Sequence, residues 1–109
     1  MLEPLLGSKT AENVLVYILS RESGYASEIA RFFGVGVYGI QCQLEKFELG
    51  GVLTSRTAGK TRIFEFNPRY AFKDALEALL RKAIDFYPED EKDRLLITRR
   101  RPRRKGKPL

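Results

Sequence analysis

The feature that most constrains this chain is a pair of short apolar-striped segments broken at Gly34-Val35-Gly36 and followed at once by two alternating runs. Ile29, Ala30 and Phe33 recur at helical spacing within Ser27–Phe33, with Tyr25 just ahead of them. In Val37–Leu49, Ile40, Leu44 and Phe47 stand at i, i+4 and i+7 and share one helical face. Glycine tolerates positive φ, so Gly34-Val35-Gly36 predicts a tight turn between two helices. Gly50-Gly51 stops the second helix as a C-cap. Val52–Thr57 and Thr61–Phe66 then read as strands around a tip at Ala58-Gly59-Lys60, with Phe64 and Phe66 alternating with Ile63 and Glu65.

The flanks add helices. Ser8 and Thr10 offer capping oxygens to a first helix over Lys9–Arg21, striped by Ala11, Val14, Leu15, Ile18 and Leu19 and broken by Gly24. Asn67-Pro68 ends the second strand. Phe72, Ala75, Leu76, Leu79, Leu80, Ala83, Ile84 and Tyr87 outline a long amphipathic helix over Tyr70–Tyr87, closed by Pro88. Glu89–Arg94 reads as a loop or a helical turn, and Leu95-Leu96-Ile97 as a small apolar patch. The expected class is α+β, mostly α. Two short helices on a glycine turn make a helix-turn-helix, and the hairpin after them makes the winged version. Residues 1–87 form the expected domain, and 88–109 an acidic-then-basic tail.

Charge is divided unevenly. The chain carries 20 basic and 14 acidic residues, a net charge of +6. Arg99–Leu109 holds seven of the basic residues and no acid, so residues 1–98 have thirteen basic and fourteen acidic side chains, a net −1. A near-neutral body thus precedes a strongly basic segment with too few apolar residues to pack alone. There is no His and one Cys, which excludes His-based acid–base chemistry, His-ligated metals, an internal disulfide and a thiolate cluster. No phosphate-cradling glycine loop or carboxylate motif points to an enzyme, and no cofactor is expected. The opening residues lack the pattern of a signal peptide, and no apolar run approaches the length of a membrane span. With the lone cysteine, this predicts a cytoplasmic protein.

The stretch Tyr25–Asn67 resembles the winged helix-turn-helix regulators of the ArsR-like type. The resemblance rests on Glu28-Ile29-Ala30, Gly34, Ile40 with Leu44 and Phe47, Gly51-Val52-Leu53, and Arg56-Thr57-Ala58-Gly59 up to Phe64-Glu65-Phe66. The opening LLGSKTAENVLVYIL and the ending RRRPRRKGKPL are similar to a subgroup of winged-helix proteins associated with minimal nucleotidyltransferase domains. The resemblance implies a homodimeric DNA-binding transcriptional regulator, with a nucleotidyltransferase as a further possible partner. It does not imply metal sensing, which needs paired Cys or His ligands.

Taken as a recognition helix, Val37–Leu49 turns Tyr38, Cys42 and Glu45 away from its apolar face, with Gln41 and Lys46 on the flanks. Gln41 is the expected base reader, because Gln can bond an adenine edge twice, with Gln43 behind it. Tyr38 is placed to touch a phosphate or a thymine methyl, and Lys46 a phosphate. Glu45 and Glu48 oppose phosphate, unless Glu45 instead accepts from a cytosine amino group. Ser27, at the start of its helix, is a further phosphate contact. Cys42 is either a small filler or a redox switch. Arg56, Lys60 and Arg62 give the wing, with Arg69 nearby, a positive charge opposed only by Glu65. Such charges also keep hairpin edges soluble. Arg99, Arg100, Arg101, Arg103, Arg104, Lys105 and Lys107 suit a flexible phosphate-tracking arm, and RNA or an acidic protein would satisfy the same charges. The first and last helices are expected to build a symmetric dimer interface.

Overall fold

The computed structural model describes residues 1–96. The elements run α1 (Glu3–Leu6), α2 (Lys9–Arg21), α3 (Ala26–Phe33), α4 (Val37–Leu49), β1 (Leu53–Ala58), β2 (Thr61–Phe66) and α5 (Lys73–Asp85). A last helix, α6, covers 89–96. The described chain is mostly helical with one two-stranded antiparallel sheet, which agrees with the expected class.

α2 is the centre. Ser8 caps it by accepting from the Ala11 amide at 3.0 Å. All five residues from Val14 to Ile18 are buried, so apolar side chains surround the helix instead of striping one face. It packs against α1, α3, α4, α5 and β2.

α3 and α4 follow the predicted pattern. Ile29 and Ala30 of one, and Ile40, Leu44 and Phe47 of the other, enter the core. Gly34 ends α3 at φ 68°, where a Cβ would be strained. That turn lets the Gly34 and Val35 amides reach back to the Arg31 and Ala30 carbonyls, closing the helix end.

The hairpin pairs Leu53 with Phe66 and Ala58 with Thr61 at its two ends. Its inner face buries Leu53, Phe64 and Phe66. Gly24 fixes it to the body. Its amide donates to the Phe64 carbonyl at 3.0 Å, and the Phe64 amide returns the bond at 2.8 Å. A Cβ on Gly24 would lie 3.0 Å from the Tyr17 ring, so glycine's small size permits this approach. In the sequence alone, Gly24 reads only as a helix breaker.

Other boundaries differ from the predicted ones for local reasons. Strand β1 starts at Leu53, not Val52, because the Val52 amide bonds to the Phe47 carbonyl behind it. α5 starts at Lys73, because the Asn67 side chain accepts from the Arg69 amide and holds the preceding residues in a turn. α1, started by Pro4 and ended by Gly7 at φ 102°, is an element that periodicity does not predict. The segment after Pro88, open between loop and turn in the sequence, is α6, and it delivers Leu95 into the core.

Candidate nucleic-acid interface

The start of α3, the exposed side of α4 and the hairpin enclose an open cleft of about 320 Å³. Ser27, Gln41, Lys60 and Arg62 line it together, joined by Tyr25, Glu45 and Thr61, with Leu44 and Phe64 at its apolar base. The first four are site residues expected from sequence; Tyr25 and Thr61 are not. Ser27 lies in the first turn of α3, and no side chain caps that turn. Uncapped amides at a helix start favour an anionic group.

Along α4, Tyr38 is 76 % exposed, and Gln41, Cys42 and Glu45 are exposed with it. Cys42, one turn on from Tyr38, raises the Tyr38 phenol above its ordinary pKa, and the Glu45 charge adds to the effect. Gln43 is only half exposed, and its buried Oε1 has no hydrogen-bond partner among the described residues. It is therefore poorly placed to back up Gln41. Lys46 is drawn back onto the body: its Nζ lies 3.5 Å from the Leu6 carbonyl and 5.1 Å from the Phe47 ring centre.

The hairpin charge is partly answered. Arg62 forms an ion pair with Glu48 of α4 and lies over the Phe64 ring at 4.9 Å. Ser55 braces the pair by donating to Glu48 at 2.6 Å. Sequence reasoning counts only Glu65 against this charge, because Glu48 reaches the hairpin through the α4–β1 turn. Arg56 and Lys60 are exposed and make no ion pair among the described residues. Arg99, Arg100, Arg101, Arg103, Arg104 and Lys105 lie outside the described residues.

Gly39 stands inside the first turns of α4, and a Cβ there would meet open space. A helix-interior glycine costs stability through its backbone freedom. Gly39→Ala is expected to stabilise the fold by roughly 0.5–1 kcal/mol in urea unfolding. An unchanged or lowered midpoint would show that the helix start is not open.

Among the described residues, no group of three or more His, Cys, Asp or Glu could hold a metal ion, and no helix is long and apolar enough to cross a membrane. No protein-family model matches the chain, and no curated protein and no solved structure matches it.

Proposed function

We propose that this chain is a winged helix-turn-helix regulator that binds duplex DNA in the cytoplasm and represses transcription by occupying its site. α4 is the recognition helix, the β1–β2 hairpin is the wing, and the basic segment after residue 98 adds general affinity. The observation that carries this reading is the convergence of Ser27, Gln41, Lys60 and Arg62 on one open cleft. It combines a base-reading amide with cations and a helix start suited to phosphate.

The test is a salt-titrated binding curve on the chain's own upstream DNA and on a scrambled duplex of equal length. Preference for the native duplex by about 10³-fold or more supports the reading. Equal binding, or displacement by single-stranded RNA of equal length, overturns it. Gln41→Ala is expected to reduce the preference by roughly 10- to 100-fold while leaving scrambled-duplex affinity unchanged. Equal losses on both duplexes would remove Gln41 as a base reader.

The proposed regulator is a homodimer. None of the large apolar residues of α2 is exposed, so α5 carries the greater part of the proposed interface. Phe72, Leu79 and Phe86, seven residues apart, form a ridge 65 %, 37 % and 68 % exposed. An antiparallel pairing about Leu79 sets Phe72 of one copy against Phe86 of the other, and Asp85 against Lys73. Light scattering at micromolar concentration is expected to give a dimer mass, and Leu79→Glu a monomer mass. A monomeric wild type removes the dimer.

Leu49, 90 % exposed at the end of α4, favours a second reading. With Leu5 of α1 exposed as well, it suits a protein-interaction module, with a nucleotidyltransferase as partner. Co-purification of such a protein through a surface lost in Leu49→Asp distinguishes that reading.

A further inference from the structure

The cleft carries two cations, Lys60 and Arg62, and the fold treats them differently. Lys60 is exposed at the turn of the hairpin and makes no ion pair among the described residues. Arg62 is already engaged. Its Nη2 donates to Oε1 of Glu48, and its Nε lies 3.4 Å from the Ser55 hydroxyl. Ser55 donates in turn to the other Glu48 oxygen at 2.6 Å. Side chains from α4, β1 and β2 thus close a ring in which a carboxylate and a hydroxyl take two of the guanidinium's donors. Glu48 is not among the residues that line the cleft, so it holds Arg62 from outside it.

A guanidinium has donors only, and its strongest partners are oxyanions that accept two N–H groups at once. The backbone of a duplex offers such oxyanions to the same donors. Both side chains of the pair reach solvent, Arg62 at 48 % and Glu48 at 31 % exposure, and such pairs add little to folding. A phosphate can therefore take the place of Glu48. The Phe64 ring at the base of the cleft keeps the guanidinium there, 4.9 Å from its centre, whichever anion it faces. We infer that Glu48 is an internal substitute for a phosphate: it occupies Arg62 in the free protein and weakens the hold of the cleft on any duplex. The inference rests on the DNA-binding reading and adds to it a residue that sets affinity through Arg62 without touching DNA.

This exchange has a signature in salt. A phosphate that meets a free cation releases its counterions, which adds roughly 0.9 to the slope of log K against log salt. A phosphate that displaces Glu48 releases them as well, but the bared carboxylate gathers a cation from solution. The net contribution of Arg62 to the slope is then close to zero.

The test compares the wild type, Glu48→Gln, Arg62→Gln and the double variant, each as the full chain, on the scrambled duplex across a salt series. Urea unfolding checks that all four fold alike. Glu48→Gln is expected to steepen the slope by about 0.9 and to bind roughly fivefold more tightly near 0.15 M salt, the factor this slope gives between about 1 M and 0.15 M. In the Arg62→Gln background, the same change is expected to leave the slope unaltered and the affinity within about twofold. An equal gain in both backgrounds shows a carboxylate that merely repels the duplex, and overturns the inference. Unchanged or weaker binding by Glu48→Gln overturns it too, the pair then being a strut that holds the hairpin. A wild type that binds neither this duplex nor the native one brings down the DNA-binding reading itself.

Discussion

Replacing every Arg and Lys of 99–109 by Gln is expected to flatten the dependence of log K on log salt by up to about 6 for duplex DNA, at roughly 0.9 for each phosphate no longer neutralised. Even five engaged cations change the slope by about 4.5, or roughly 500-fold in affinity between 50 and 200 mM salt. The body offers little to mask this effect. Residues 1–98 carry a net −1. Of the cations expected at the cleft, Arg62 is paired with Glu48 and Lys46 is drawn toward Leu6. Arg56 and Lys60 remain available at the hairpin. An identical slope in the neutral variant would transfer the burden to those two residues. Titration of fluorescence anisotropy at four salt concentrations distinguishes the outcomes.

Glu12→Ala is expected to destabilise the protein by about 3 kcal/mol, because it strands buried donors and leaves a cavity. That corresponds to roughly 15 °C in Tm for a body of this size. Glu12 is fully buried on α2, where its carboxylate accepts from the Leu2 amide at 2.8 Å and from the Tyr87 hydroxyl. The Met1 ammonium lies 3.2 Å away, and Lys9 3.9 Å. Burial alone pushes the Glu12 carboxyl up, but these hydrogen bonds and charges outweigh it and hold its pKa below the usual value of 4.5. A carboxylate depressed in the fold stabilises at neutral pH, and that contribution is lost as pH falls below about 4.5. Burial, and then the bond to Glu12, raise the Tyr87 phenol well above its ordinary 10.0. Its contribution is present below pH 10 and lost as pH rises beyond it. The wild type should therefore lose stability at both extremes, and Glu12→Gln should flatten the acid limb. Melting curves from pH 3 to 11 measure both. An acid limb unchanged by Glu12→Gln would exclude this carboxylate as its source.

The elements whose ends carry clear cap, turn or glycine signals are legible in the sequence. α2, α4 and β2 have the boundaries that periodicity and glycine punctuation predict. The α5 stripe is apolar as predicted, but the body covers only Leu80, Ala83 and Tyr87 fully, leaving Phe72 and Leu79 outside. Periodicity tells which side chains share a face, not how much of that face a neighbour covers. Glu12 shows the converse. The apolar run Val14–Leu19 leaves no wet side to the middle of α2, and this is the signal that a polar residue on the same helix can be enclosed. At the cleft, spacing places Gln41 on the open side of α4 and Lys60 at the hairpin tip. It does not reveal that Glu48 neutralises Arg62, because that pair depends on how a turn folds one element over another.

The backbone bridge between Gly24 and Phe64 gives the cleft a stiff frame. It joins the segment before α3 to β2 by two main-chain hydrogen bonds, so the two walls are not free to close around a guest independently. On the proposed reading, a poorly matched duplex must adjust its own groove width and bend. Sequence preference is then expected to extend to base steps that no side chain touches, with flexible pyrimidine–purine steps favoured where the helix must yield.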